Sequence, residues 1–594
     1  MAAKAVISVV SIILVVGVVI GVVAVVHHGG SAKSSGNSRD ENLSNSMKTV
    51  NALCAPVMYK DQCIRSLGSV AQNDSATSQD YIKAGLKLAL DEIVKSMNLT
   101  DTLVPKVGSS KQPERVKMAI DDCKDLLDYS IQRLNLAFNQ VGDPSIYKEE
   151  TKTWDLRLWL SDIITYQTSC VDGFEEAQEP ELQNIMQQGT VNGTQLTMSI
   201  LDIITCLTKS LSSLGYNLNA TNLVDQLQSS AAATKDHSTS GSRRLMSMPV
   251  GEDDIPAWMS AGDRHLLSVK KHSSAGVKPN AVVALDGSGQ FKSINDALKA
   301  YDPKQHTGRY VIYVKAGVYK EEVLVDRTMV NVFMYGDGSR KTIVTGNKSF
   351  KSGYQTSKTA SFAVEGDGFL CKSMGFQNTA GPEGHQAVAL RVNAQRAVFL
   401  NCRFDGYQDT LYAQTGSHFF RGCTISGTVD FIFGNGATLI QNCMIIVRMP
   451  DPNQFNAVTA QGRLGKNEPT GIVIQNCRIV PDQALVPQRF KIKTFLGRPW
   501  KPYARTVIME STVGDLIQPQ GYEPWGGNVN TETSFYGEYG NSGPGASTDM
   551  RVKWKYVKVL SKAEAQHYSA GVFLKGMLPD LSSAGVPVQL NLKA

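Results

Sequence analysis

A short frame recurs in the second half of this chain. Val398-Phe-Leu-Asn-Cys-Arg-Phe404 reappears as Phe419-Phe-Arg-Gly-Cys-Thr-Ile425, Leu439-Ile-Gln-Asn-Cys-Met-Ile445 and Val473-Ile-Gln-Asn-Cys-Arg-Ile479. The cysteines at 402, 423, 443 and 477 are 21, 20 and 34 residues apart. A period near 20 made of short strands and turns predicts a parallel β-helix, with a loop insertion in the longest interval. Stacking places equivalent residues above one another, so the four cysteines form an inward ladder. Core packing accounts for Cys402 and Cys477; Cys423 and Cys443, one coil apart, either pack likewise or pair. Such a fold presents a long groove suited to an extended polymer, but the fold alone does not supply a chemistry.

The rest of the 594 residues divide at shifts in composition. After Lys4 comes an apolar run from Ala5 to Val26, long enough to cross a bilayer and long for a signal-peptide core. Residues 1–27 are therefore read as a signal peptide or membrane anchor, and everything beyond His27 as lumenal. Residues 28–46 are a polar spacer. From 47 to 227 apolar residues recur at three- and four-residue intervals, as in Tyr81-Ile82, Gly85-Leu86, Leu88-Ala89 and Ile93-Val94, which predicts an all-α bundle of four to six helices. Residues 228–276 are small and polar, a linker carrying basic sites at Arg243-Arg244 and Arg264 that suit a processing protease. The β-helix is assigned to 277–594.

Charge is split between the halves. Residues 1–270 carry a net charge of −6 and residues 271–594 a net charge of +12. A basic groove favours a polyanion. Six sequons, at Asn42, Asn73, Asn98, Asn192, Asn219 and Asn347, fit passage through the secretory route. That compartment makes an acidic polysaccharide the expected partner instead of nucleic acid. The ten cysteines are free to oxidise there.

Candidate chemistry lies in polar residues at one-coil spacing. Gln386 and Gln408 are 22 residues apart, Asp409 and Asp430 are 21 apart. Equivalent positions on stacked coils lie about 5 Å apart, so two carboxylates meet beside two amides. Like charges that close drive their pKa values apart, leaving one carboxyl protonated and one ionised, an acid with a base or nucleophile. There is no Gly-x-Ser-x-Gly elbow, no His-Glu-x-x-His and no cysteine–histidine pattern with zinc spacing; neither a metal nor another cofactor is expected.

Gly406-Tyr-Gln-Asp-Thr-Leu-Tyr412, Gly427-Thr-Val-Asp-Phe-Ile-Phe-Gly434 and Leu496-Gly-Arg-Pro-Trp500 resemble the signature segments of plant pectinesterases. The resemblance covers roughly 275–590. The helical part, with Cys54 and Cys63 nine residues apart, resembles the pectinesterase/invertase inhibitor domain that precedes many of these enzymes. The resemblance implies a right-handed parallel β-helix that removes methyl esters from pectin in the cell wall. It implies Asp430 as nucleophile, Asp409 as proton donor and then base, Gln408 and Gln386 as oxyanion donors, and Arg498 as the cation holding Asp430 ionised. Thr356, Gln386, Arg498 and Trp500 take substrate-binding positions. Tyr522 stands where the family often has Trp, with Trp525 shortly after it. Disulfides implied by the resemblance are Cys423–Cys443, Cys54–Cys63 and Cys123–Cys170; Cys206 is left over. Partners implied are pectin, the chain's own inhibitor-like domain or separate inhibitor proteins, and the processing protease; the membrane enters only through residues 1–27. The helical domain either restrains the enzyme or assists folding and export. Two rivals are a polygalacturonase-like glycosidase, whose carboxyls flank a glycosidic bond, and a non-catalytic wall-binding or inhibitor protein.

Overall fold

A computed structural model describes residues 44–593, apart from 73–75, 144–145, 147–148, 214–277, 305–307, 584–585 and 587. The chain divides into two compact units, within Met1–Leu218 and Asn219–Ala594. The readings of residues 1–27, of the linker sites Arg243, Arg244 and Arg264, and of the sequons Asn42, Asn73 and Asn219 lie outside the described residues. Among the described residues no helix is long and apolar enough to cross a membrane.

The first unit is helical. Two short helices, Asn45–Cys54 and Lys60–Gly68, precede four long ones, Ser78–Leu103, Pro113–Val141, Glu150–Glu176 and Pro180–Ser213. Local signals explain the starts. Thr77 and Asp80 form a reciprocal capping box, and Pro113 sits in the first turn, where its missing N–H costs nothing. Each long helix packs on the next and the first packs on the last, a four-helix arrangement. The buried residues Leu86, Ile93, Ile120, Leu127, Leu134, Ile163 and Ile164 follow helical spacing. Disulfides Cys54–Cys63 and Cys123–Cys170 staple the unit. Cys206 is free and half-buried. The sequons at Asn98 and Asn192 are exposed on helices.

From Ala281 onward every registered strand pair is parallel, and the chain winds as a β-helix of three strand rows. One face holds Val323–Val325, Phe362–Val364, the starts of Leu390–Leu400 and Leu411–Arg421, then Ile432–Gly434, Asn456–Gln461 and Thr494–Pro499. The second holds the ends of those two long strands with Ala437–Gln441, Gly471–Gln475 and Arg505–Met509. The third runs from Gly317–Tyr319 to Thr512–Val513. The core between them contains stacked aromatic rings, such as Phe399 on Phe420 with centroids 4.9 Å apart.

The recurring Asn-Cys pair marks the corner between the second and third faces. Asn401, Gly422, Asn442 and Asn476 have φ of +52°, +62°, +55° and +54°. This left-handed bend suits Asn and Gly. The residue after the bend points inward, where Cys402, Cys423, Cys443 and Cys477 are all buried, with Cys371 beside Cys402.

All five are free thiols, which corrects the expected Cys423–Cys443 disulfide. The Cys423 N–H donates to Cys443 Sγ at 3.2 Å, and the Cys443 N–H donates to Cys477 Sγ at 3.3 Å. The two side chains meet on adjacent coils, yet the thiols stay unbonded. Core packing therefore describes the whole ladder.

Candidate active site

The register of the first face builds the site. Leu390 pairs with Leu411, and Leu411 with Ile432. The corner before each strand is thereby stacked: Ala387 N–H donates to Gln408 O at 3.2 Å, and Asp409 N–H donates to Val429 O at 3.0 Å. Asp409 and Asp430 sit at this corner with φ of +63° and +51°, a left-handed conformation uncommon outside glycine. Backbone strain of this kind persists where surrounding structure over-determines it, and it clusters at functional sites.

Both aspartates are buried, 7% and 4% exposed, so each charge needs a partner. Arg498 supplies it for Asp430: Nε donates to Oδ1 at 2.8 Å and Nη2 to Oδ2 at 2.6 Å, a two-pronged grip. Arg498 arrives from two coils further on, through the pairings Phe433–Ala460 and Ala460–Arg498. Burial opposes its charge, but Asp430, with smaller contributions from Asp409 and Glu523, more than offsets this and holds the guanidinium above its ordinary range. The two carboxylates and one arginine form a single electrostatic unit.

The amides lie beside them. Gln408 immediately precedes Asp409 and is half-buried, and so is Gln386 one coil earlier. The Oε1 of Gln386 is buried with no hydrogen-bond partner in the protein. Phe350 N–H donates to Gln386 O at 2.8 Å, tying the preceding loop to this corner. That loop ends in the turn Thr356–Lys358, and Arg391 Nη1 reaches Ser357 O at 3.4 Å to hold it to the first face. Thr356 is thus placed at the edge of the same face, though it is largely buried.

An aromatic cluster lies on the same face as the carboxylates, with Tyr412 and Phe433 buried and Trp500 and Trp525 partly buried against them. Tyr412 and Phe433, register partners, stack at 4.2 Å. Trp500 meets Phe433 edge-on at 6.0 Å and Trp525 at 6.4 Å. Gly462 makes this possible, because a Cβ there would lie 2.8 Å from Trp500 Cε3. The Arg498 guanidinium lies 4.3 Å from the Trp525 ring centre and 5.2 Å from that of Phe455. Tyr522, which stands where the family often has Trp, is 1% exposed and donates its hydroxyl to Glu538 Oε1 at 3.2 Å. Trp525 takes the place beside the arginine. No sequence motif assigns a role to Tyr412 or Phe455, and Phe433 is expected only to keep water from the flank of Asp430; the 21-residue spacing from Tyr412 to Phe433 is the signal for their stacking. Among the described residues no three His, Cys, Asp or Glu side chains are grouped as metal ligands.

Residues 280–577 match the family profile described as Pectinesterase, and residues 48–203 match that of the plant invertase/pectin methylesterase inhibitor. Pectinesterase 4 of Arabidopsis thaliana is 40% identical over 100% of both chains. The chain belongs to the pectinesterase family. A pectinesterase/pectinesterase inhibitor of Brassica campestris is 39% identical, covering 98% of this chain and 100% of its own. Pectin methylesterase from carrot, a solved structure, is similar to the second unit at 46% identity, covering 54% of this chain and 100% of that one with a TM-score of 0.53. The family match, the parallel coils and the helical region before them agree on one organisation, an inhibitor-type unit followed by an esterase-type unit.

Proposed function

We propose that this chain is a pectin methylesterase, hydrolysing methyl esters of homogalacturonan to methanol and free galacturonate carboxylates. The observation that carries the proposal is the pair of aspartates on adjacent coils, one gripped at both oxygens by Arg498, in a member of this family.

In the first step an Asp430 oxygen attacks the ester carbonyl carbon. The resulting oxyanion accepts hydrogen bonds from the side-chain amides of Gln408 and Gln386. As the tetrahedral intermediate collapses, the C–O bond to the methoxy group breaks. The Asp409 carboxyl passes its proton to that oxygen, and methanol leaves. The acyl-enzyme is then attacked by water, whose proton goes to the Asp409 carboxylate. The Asp430 carboxylate departs, and both groups return to their starting states. Arg498 orients Asp430 throughout, while Trp500 stacks on a sugar ring and Thr356 contacts the polymer.

The apolar run before residue 28 directs secretion as a signal or as an anchor, and the basic linker sites serve a processing protease. Glycans on Asn98, Asn192 and Asn347 suit their exposure. The inhibitor-type unit restrains the esterase unit or assists its export.

The test is to incubate the full chain, and separately residues 278–594, with highly esterified pectin, following methanol and new reducing ends together. Methanol with unchanged polymer length is expected. Reducing ends without methanol would replace the proposal with a glycosidase, and pectin binding with neither product would leave a wall-binding protein.

A further inference from the structure

Arg448 follows the third-face strand Met444–Val447, whose last residue pairs with Gly427. Its backbone N–H donates to Gly427 O at 2.8 Å. Its side chain travels one coil further. Nη1 donates to Gly406 O at 2.8 Å, Nη2 donates to the Tyr407 hydroxyl at 2.8 Å, and the guanidinium lies 3.8 Å from the Tyr407 ring centre. One half-buried side chain thus spans the coil that carries Asp430 and grips the two residues that lead into Gln408 and Asp409.

The same turn is held from the other side. Thr410 Oγ1 donates to Tyr407 O at 3.1 Å and to Ser426 O at 2.9 Å, while Thr428 N–H donates to Tyr407 O at 2.9 Å. Asp409, at φ +63°, sits between these two sets of ties. A left-handed aspartate keeps such a conformation only while its neighbours over-determine it.

We propose that Arg448 is a positioning residue of the esterase site: it locks the Gly406-Tyr407 turn so that the Gln408 amide and Asp409 carboxyl keep their places against Asp430. The inference rests on the esterase reading above. Arginine suits the task because its planar fork donates to two acceptors at once and stacks on the ring; a lysine offers a point charge and neither feature. Misplacing a reacting group by about 1 Å is enough to lower a rate on the order of 100-fold.

The test compares wild type with Arg448→Met, Arg448→Lys and Tyr407→Phe, using whichever of the full chain and residues 278–594 releases methanol. Arg448→Met is expected to lower kcat about 10- to 100-fold with KM within about twofold. Arg448→Lys should recover little of it, and Tyr407→Phe, which loses one hydrogen bond and folds most safely, should fall between. Hydrogen exchange in the full chain should show the amides of residues 407–410 opening at least about tenfold faster in Arg448→Met, with the Cys ladder strands unchanged. A rise in KM alone would overturn the proposal, since Arg448 would then be touching substrate. Full recovery with lysine would overturn it as well, because charge alone would suffice. Absence of methanol from wild type would overturn the esterase reading and this inference together. Wild-type activity with an unaffected Arg448→Met would overturn the positioning role alone.

Discussion

In the helical unit, segments far apart in sequence are joined covalently: Cys123 and Cys170, 47 residues apart, link two long helices. In the coiled unit five cysteines stack in one buried column, each a free thiol. A helix bundle lets its helices slide and splay, so a cross-link removes many alternatives from the unfolded chain. A parallel coil repeats its neighbours every turn, and each strand is already fixed by hydrogen bonds above and below. The coiled unit therefore uses its cysteines as small apolar side chains. The regularity that makes cross-links unnecessary also holds Asp409, Asp430 and Arg498 in place from three coils.

Reduction should separate the two units most clearly. By loop-closure entropy, the Cys123–Cys170 disulfide contributes about 4 kcal/mol to the helical unit. Calorimetry with dithiothreitol should show the helical transition falling while the coiled transition stays. Thiol titration of the unfolded, unreduced chain should count six free thiols. A coiled transition that falls on reduction, or a count of four, would restore the Cys423–Cys443 bond.

Acid should act on the coiled unit through His418. Its ring lies inside the second face, hydrogen-bonded to Thr415 O at 2.8 Å and Thr438 Oγ1 at 3.1 Å. Burial pushes its pKa from 6.5 down to about 4, only partly opposed by the bond to Thr415. Between these values the unfolded chain takes up a proton that the folded chain refuses. The loss of stability due to His418 therefore builds up as pH falls from 6.5 toward 4, to about 3 kcal/mol, and this group adds none below. His418→Asn should flatten the dependence of coiled-unit stability on pH across that window. An unchanged slope would show that His418 does not carry it.

The smallest effect is expected in the ladder itself. Cys423→Ala should cost the coiled unit about 1 kcal/mol, the scale of a small buried deletion. A loss near that of a disulfide would contradict the picture of independent rungs.

These contrasts bear on what a sequence can reveal. The Asn-Cys frame was legible because one dipeptide meets two demands, a left-handed corner and a small inward side chain. The spacing of Asp409 and Asp430 was legible for the same reason, since both lie one coil apart. The long helices were legible from their apolar spacing, but two pairings in that unit, Cys54–Cys63 and Cys123–Cys170, came only through resemblance. Arg498 did too, because 68 residues and loops of unequal length separate it from Asp430. The Cys423–Cys443 expectation went wrong because adjacency on stacked coils is not in itself a bond. Arg448 had no signal, as its partners are backbone and ring atoms of another coil.

The central claim is that Asp430, gripped by Arg498, attacks the ester. The most direct measurement compares methanol release by wild type and Asp430→Ala from highly esterified pectin, with pectin binding and thermal unfolding recorded on both. The account predicts at least a roughly 1,000-fold loss of methanol release in a variant that still folds and binds the polymer. Release within about tenfold of wild type from that folded variant would contradict it and move the nucleophile elsewhere.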